Sequence, residues 1–247
     1  MRKTLLIAAA AALAASVISS QAQVYSQNIV GYANVPTPAA FGSYLLACPF
    51  TIGASNGINE VFGTSLQGAA DFTQILVWSV ANNSFTIYNS DSTSPSGWDD
   101  VNTAPITHLP TLPVGQGFFI IPSIGNITNV FAGAVAINVG STNKMTLTNA
   151  FASYLVGAAV PYAGSVTNGA GTGLGVNMNF PPAWDFTQLL IWSTAANKFT
   201  IYNTDSTSPS GWDDVNTAPI ATPPSVEVGQ GYFLIPSAAN LVWTQSL

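Results

Sequence analysis

Charged residues are scarce in this sequence. Only 6% of the 247 residues are Asp, Glu, Lys or Arg, against about 25% in an average soluble domain. Arg2 and Lys3 stand at the N-terminus, and the only other basic residues are Lys144 and Lys198. Nucleic-acid binding needs clustered lysines and arginines that neutralise phosphates. We therefore expect no nucleic-acid partner and no attraction to an anionic lipid surface.

Cysteine and histidine are almost absent as well. Cys48 is the only cysteine and His108 the only histidine. One cysteine cannot form an intramolecular disulfide, so the folded state depends on its apolar core. Cys48 lies in the apolar stretch Tyr44–Phe50 and is expected to be a small buried hydrophobe. The shortage also leaves too few ligands for a metal site built from histidine and cysteine.

The first 22 residues have the pattern of a secretory signal peptide. Arg2 and Lys3 form a positive start, Leu5–Val17 is an apolar run, and Ser20 and Ala22 fit a cleavage site. The run is shorter than the roughly 20 apolar residues that span a membrane. We expect cleavage after Ala22, no membrane insertion, and an extracytoplasmic location: secreted, at the cell surface or in the periplasm.

An internal repeat dominates the rest of the chain. Asp71–Ser123 aligns with Asp185–Ser237 at a constant offset of 114 residues, with about three quarters of the positions identical. Upstream, Ala40–Leu45 resembles Ala150–Leu155 at an offset of 110 residues. The repeat predicts a signal peptide at residues 1–22, a first β module at residues 23–140 and a second at residues 141–247.

The sequence pattern of both copies indicates β-structure. Gln74–Val80 and Phe85–Asn89 are rich in β-branched and aromatic residues and flank a short Asn-containing turn, as in a hairpin. Gly117–Ile121 and Gly231–Ile235 are short apolar strands that end at a proline. The apolar runs are continuous rather than alternating, which is typical of strands buried on both faces. We predict an all-β fold of two tandem β-sandwich or small-barrel modules.

Several of these segments resemble one family. Val24–Tyr32 is similar to the recurrent mature N-terminus of exported β-rich repeat proteins from environmental Gram-negative bacteria, and Ser43–Pro49, Val77-Trp78 and Gly115–Ile120 resemble the strands of the same group. The resemblance implies export and a β-rich fold, and it implies no particular chemistry. The long loop Ser90–Pro113 departs from the plainer members of the group.

This loop contains the strongest repeat signal. Asp91–Ile106 and Asp205–Ile220 are identical over sixteen residues, whereas the opening parts of the two copies differ in sequence and length. Either a constraint or a local gene conversion explains the identity. If the constraint is functional, calcium binding, carbohydrate binding and hydrolysis are the candidate roles.

Calcium binding would use alternating oxygen side chains followed by a distal carboxylate. The candidate ligands are Asn89, Asp91, Thr93 and Asp100 in the first copy, and Asn203, Asp205, Thr207 and Asp214 in the second. The match is poor, because Ser94 stands where such a loop needs glycine. The competing interpretation is that the aspartates cap turns with their side chains.

Carbohydrate binding would use a tryptophan face next to carboxylates. The candidate residues are Trp98, Asp99 and Asp100, with Trp212, Asp213 and Asp214 as their counterparts. The competing interpretation is that both tryptophans cover the core of their own module. Trp78 and Trp192 lie within apolar strands and are expected to belong to the core.

Hydrolysis is the weakest of the three roles. Asp99 and Asp100 are adjacent, and neighbouring side chains on an extended chain point apart, whereas a glycosidase needs two facing carboxyls. Asp71 and Asp185 directly precede the Trp-bearing strands and look like turn caps. His108 aligns with Thr222, so a Ser-His-Asp triad has no base in the second copy.

The sequence therefore favours a non-catalytic exported protein with a structural or adhesive role at the cell surface or in the extracellular matrix. Its partners would be further copies of itself or other surface proteins. The alternative is a secreted carbohydrate-binding protein that holds a polysaccharide with its paired loop tryptophans.

Overall fold

The computed structural model describes residues 30–136, 142–166 and 184–246 and is almost entirely β. The first half of the chain comprises β1 (Val30–Thr37), β2 (Tyr44–Ala47), β3 (Phe50–Thr51), helix α1 (Ile58–Phe62), a 3₁₀ turn (Gly68–Ala70), β4 (Gln74–Ser79), β5 (Ser84–Ser90), β6 (Trp98–Asp99), β7 (Gly117–Ile121) and β8 (Ile127–Val135). The predicted all-β fold class is confirmed. No helix among the described residues is long and apolar enough to cross a membrane.

The second half repeats this order of strands with one additional short strand, Ser225–Val226. It comprises β9 (Thr142–Leu147), β10 (Tyr154–Gly157), β11 (Gly164–Ser165), β12 (Gln188–Ser193), β13 (Lys198–Thr204), β14 (Trp212–Asp214), β15 (Ser225–Val226), β16 (Gly231–Ile235) and β17 (Leu241–Ser246). The predicted module boundary at residue 140 and the signal peptide at residues 1–22 lie outside the described residues. The division into residues 23–140 and 141–247 remains a prediction.

Each half contains an antiparallel five-stranded sheet. The strand orders are β2-β7-β4-β5-β6 and β10-β16-β12-β13-β14, which are equivalent strand by strand. The predicted hairpins are confirmed, because Ser79 pairs with Ser84 and Ser193 with Lys198 next to the turns. Smaller sheets, β1-β8-β3 and β9-β17, cover one face of each large sheet. None of the sheets in the described part closes on itself, which removes the small-barrel alternative.

Each half has its own core between its large and small sheets. In the first half, Ile75, Phe118 and Ile120 of the large sheet join Phe131 of β8 and residues of helix α1. In the second half, Leu189, Tyr232 and Leu234 join Trp243 of β17. Cys48 is fully buried in the first core, as expected from the sequence.

A third cluster lies between the two large sheets. It contains Leu45 and Phe119 from the first half, Leu155 and Phe233 from the second, and the partly buried residues Leu76, Trp78, Phe85, Leu190, Trp192 and Phe199. Strand residues alternate between this cluster and their own core, so Phe118 and Ile120 point one way and Phe119 the other. The apolar runs are continuous because each large sheet is covered on both faces.

Equivalent contacts hold the two large sheets together. The Trp78 ring lies 5.5 Å from that of Phe233, and the Trp192 ring lies 5.5 Å from that of Phe119, both edge to face. The indole N–H of Trp78 donates to Ser153 O at 2.7 Å, and that of Trp192 donates to Ser43 O at 2.6 Å. The two tryptophans predicted to be core residues therefore lie at the junction of the halves.

The repeated Gly-Gln-Gly turns, Gly115–Gly117 and Gly229–Gly231, also form hydrogen bonds between the halves. The Ala47 N–H donates to Gly229 O at 2.8 Å, and the Gly157 N–H donates to Gly115 O at 3.0 Å. A Cβ atom on Gly231 would stand 2.7 Å from Leu46 O. Glycine is required there because the two backbones approach too closely for a side chain.

We expect the junction to contribute strongly to stability. Phe119→Ala and Phe233→Ala each remove a largely buried ring from the third cluster, and each should lower the free energy of unfolding by about 3–5 kcal/mol. Urea unfolding measures the loss. Val101→Ala is the control: its side chain is 61% exposed, and the expected change is within about 0.5 kcal/mol. A ring deletion that behaves like this control would show that the junction carries no stability.

Candidate functional site

The two identical loops are built from the same pair of tight turns. The first turn is closed by Asp91 N–H to Gly97 O at 3.0 Å, and the second by Asp100 N–H to Ala104 O at 2.9 Å. Between them, β6 pairs with the end of β5. The second copy repeats both bonds at the same lengths, from Asp205 to Gly211 and from Asp214 to Ala218. Each loop is therefore a compact structure fastened to the edge of its large sheet.

The loop tryptophans are core residues. Trp98 and Trp212 are both 0% exposed. Trp98 lies in the first core, where its indole N–H donates to Asn59 Oδ1 at 2.6 Å, and Trp212 lies in the second core. Burial leaves no indole face for a sugar ring, which corrects the stacking role that the sequence allowed and supports the competing core interpretation.

The candidate calcium ligands are engaged in turns. Asp91 Oδ1 accepts bonds from the Thr93 N–H at 2.8 Å and the Thr93 hydroxyl at 2.6 Å. Both polar groups of the Asn89 side chain are hydrogen-bonded, because its amide N–H donates to Asp100 O and its Oδ1 accepts from the Gln74 amide. Asn203, Asp205 and Thr207 form the same bonds in the second copy.

Asp100 and Asp214 close the second turn of each loop. Asp100 Oδ1 accepts bonds from the Asn102 N–H at 2.8 Å and the Ala104 N–H at 2.9 Å. Asp214 does the same with Asn216 and Ala218. These carboxylates serve different turns from those of Asp91 and Asp205. The four aspartates therefore cap turns, and the asparagines and threonines bond to them or to neighbouring strands, so the eight residues do not converge as a calcium loop. The described residues contain no group of three or more acidic, histidine or cysteine side chains placed to hold a metal ion.

Hydrogen bonding shifts the acidity of these caps. The Thr93 hydroxyl is the main cause that lowers the pKa of Asp91, and the Ala104 N–H is the main cause that lowers the pKa of Asp100. Asp205 and Asp214 have lowered pKa values for the equivalent reasons. A lowered pKa in the folded state means that ionisation favours folding.

Asp99 and Asp213 are the buried members of the candidate set. Each is 4% exposed, and each contacts the aspartate at the start of its loop, Asp91 or Asp205. Asp213 Oδ1 accepts a hydrogen bond from the Ser208 hydroxyl. Asp99 Oδ1 is buried without a hydrogen bond, because the equivalent Ser94 hydroxyl donates to Trp98 O.

The surroundings offer no set of reactive groups. Asp99 is buried whereas Asp100 caps an exposed turn, so the adjacent carboxyls do not face each other across a cleft. A cavity of about 360 Å³ lies beside the first loop, lined by Asn59, Gly63, Thr64, Gln67 and Ser94–Gly97. None of these residues is ionisable. Burial raises the pKa of the Cys48 thiol from 9.0 to about 11, which disfavours the reactive thiolate.

Asp71 and Asp185 are turn caps, as the sequence indicated. Asp71 accepts bonds from the Gly68 N–H and from the backbone and hydroxyl of Ser92. Asp185 accepts the equivalent bonds from Ser206. Both carboxylates thereby fasten the identical loop to the turn that precedes the Trp-bearing strand.

Sequence reasoning missed four exposed phenylalanines. Phe41 and Phe72 are 78% and 69% exposed in the first half, and Phe151 and Phe186 are 77% and 71% exposed in the second. All four have positive φ, at 58°, 70°, 59° and 67° respectively. Such a backbone costs about 1–2 kcal/mol for a residue other than glycine. The sequence does mark these positions, because the phenylalanines recur at the offsets of the repeat within the motifs Ala-Phe-x-Ser and Asp-Phe-Thr-Gln.

No protein family model, no curated protein and no solved structure matches the chain. The resemblance to exported β-rich repeat proteins therefore remains a prediction based on the motifs of this sequence.

The unpartnered oxygen of Asp99 gives a stability prediction. Asp99→Asn lets an amide N–H reach the neighbouring Asp91 carboxylate, and the free energy of unfolding should rise by about 1 kcal/mol at neutral pH. Asp213→Ala is the comparison variant: it removes the acceptor of the Ser208 hydroxyl, so a loss of stability is expected. Urea unfolding of the two variants measures the difference, and equal effects would contradict it.

The turn caps give a prediction about pH. Since the folded pKa values of Asp100 and Asp214 are lowered, their contribution to stability is present above the unfolded value, about 3.9, and is lost as the pH falls through the folded values. The double variant Asp100→Asn, Asp214→Asn should therefore lose less stability than the wild type between neutral pH and pH of about 2. Thermal unfolding at stepped pH measures this, and parallel curves would argue against it.

Proposed function

We propose that this chain is an exported, non-catalytic protein with a structural or adhesive role at the cell surface or in the extracellular matrix. The observation that carries the proposal is the distribution of exposed aromatic side chains. Phe41 and Phe72 form one pair, here called the first end pair, and Phe151 and Phe186 form the second end pair. Two equivalent apolar surfaces on one chain suit a protein that bridges between other molecules.

The identical loops support the same proposal. Their aspartates fasten turns and their tryptophans fill the two cores, so the repeated residues stabilise a surface instead of providing reactive groups. Among the described residues, Lys144 and Lys198 are the only cationic side chains, and the remaining surface is rich in Ser, Thr and Asn. This surface is polar with little charge.

The carbohydrate-binding alternative loses its main support. It rested on Trp98 and Trp212, which are buried, and a polysaccharide would have to bind elsewhere on the surface. A structural or adhesive role requires no such replacement site, which is why we favour it.

Fractionation of a native culture tests the proposal. We expect the protein in the envelope or matrix fraction, or in released assemblies of high mass, after sizing by gel filtration. Recovery of the protein mainly as a free monomer in the medium, or mainly in the cytoplasm, would refute a structural role outside the cell.

A further inference from the structure

The exposed phenylalanines are held in place by the sheet. The Phe41 N–H donates to Pro122 O at 2.7 Å, and the Phe72 N–H donates to Ser90 O at 2.7 Å. Phe151 and Phe186 repeat these bonds with Pro236 O at 2.7 Å and Thr204 O at 2.8 Å. The backbone of each exposed phenylalanine is therefore fixed by a hydrogen bond, although its ring is not buried. Strained conformations that persist at equivalent positions are often retained for a function.

The two rings of each end pair lie at the same end of a large sheet. Phe41 precedes β2 and Phe72 precedes β4, and β7 lies between those strands. Two strand spacings separate them, which is about 10 Å at the backbone. Ile124, 40% exposed, follows β7 at the same end. The first end pair and Ile124 are thus exposed at the same end of this sheet.

The end pairs lie at opposite ends of the packed sheets. Trp78, near the far end of β4 from Phe72, contacts Ser153, two residues after Phe151. Trp192 contacts Ser43, two residues after Phe41, in the same way. The six residues from Phe72 to Trp78 span about 20 Å. One chain therefore presents two equivalent apolar surfaces that face away from each other.

The size of each end pair indicates the kind of partner. Two phenylalanines that are about three quarters exposed offer roughly 300 Å² of apolar surface. Two end pairs in contact would bury roughly 600 Å², about half of the smallest stable interface between proteins, with Ile124 and the flanking turns adding to it. A single contact is therefore weak, and we expect the chains to lengthen as the protein concentration rises.

The charges near the end pairs are also compatible with contact between copies. The hairpin turn that ends at Lys198 adjoins the first end pair, because the Thr194 hydroxyl donates to Ser43 O at 2.8 Å. Lys198 is thereby placed beside the end that also carries Asp71, whereas the second end carries Asp185 without a lysine in its adjoining hairpin. A contact between two second ends would bring the Asp185 carboxylates of both copies together without a lysine beside them. A contact between a first and a second end opposes Lys198 to Asp185.

We infer that the end pairs are docking surfaces for further copies of this chain, and that the protein assembles end to end into chains. This inference rests on the proposed structural function and names its partner. Since Lys198 stands beside the first end and Asp185 stands at the second end without a neighbouring lysine, the first end of one copy docks onto the second end of the next, and head-to-tail contacts that do not close produce filaments. Two such ends on one molecule produce an open chain instead of a closed dimer.

Replacing the phenylalanines by asparagine separates docking from folding. Asparagine tolerates positive φ, so the quadruple variant Phe41→Asn, Phe72→Asn, Phe151→Asn, Phe186→Asn should fold with a melting temperature at least as high as that of the wild type. Sedimentation velocity of the exported protein over a concentration series should show chains for the wild type and monomers for this variant. Loss of assembly together with a retained melting temperature cannot come from misfolding.

Variants with one altered end make the test sharper. Phe41→Asn with Phe72→Asn leaves only the second end pair and should be monomeric by itself, as should Phe151→Asn with Phe186→Asn, whereas an equal mixture of the two variants should form dimers and no longer chains. The control is Tyr32→Asn with Val130→Asn, which removes two apolar side chains, 74% and 54% exposed, from the outer face of β1 and β8. This control should assemble as the wild type does.

Three results would overturn the inference, and they differ in what they imply for the proposed function. Assemblies that persist in the quadruple variant would show that copies associate through another surface, and a structural role would stand. A purified wild type that is monomeric at all concentrations, yet bound to the envelope in culture, would assign the end pairs to a different surface partner. A protein that is a free monomer in both experiments would reject the inference and the proposed function together.

Discussion

The packing of the two large sheets against each other is the contact on which the rest of the structure depends. Three aromatic rings on each side interlock edge to face, and each sheet thereby gains a second covered surface. A five-stranded sheet with Trp78, Phe85 and Phe119 on an open face would expose a large apolar area to water. The same packing sets the positions of the loops and the end pairs relative to each other.

Much of the fold could be predicted from the sequence, because its signals are local. Gly117–Ile121 and Gly231–Ile235 have the predicted bounds, since a glycine turn opens each strand and a proline ends it. The hairpins follow from β-branched and aromatic runs around an asparagine turn. Helix α1 was missed because five residues are too few to show a helical period. The face-to-face arrangement was not predicted either, since a continuous apolar run does not tell which two layers cover a strand.

The candidate site was harder to predict, because it depends on where side chains point. Trp98 follows a glycine and precedes two aspartates, a pattern equally compatible with an exposed platform and a core residue. The position of Asn59, which accepts the indole N–H, decides between them, and Asn59 lies in helix α1, 39 residues earlier in the chain. The exposed phenylalanines were not predicted, because apolar side chains are ordinarily assigned to a core. Their exposure follows from backbone angles that depend on hydrogen bonds to Pro122 and Ser90, which are distant in sequence.

The crossing Gly-Gln-Gly turns have a consequence for how the chain avoids misassembly. β2 and β10 are the outermost strands of their sheets, and an open outer strand is a template for aggregation with other chains. Here Gly229 covers the edge of β2, and Gly115 covers that of β10. Each half thus shields unpaired backbone groups of the other. A chain with only one half folded would still expose an outer strand that can pair with another chain. Protection of these outer strands from aggregation therefore requires that both halves are folded.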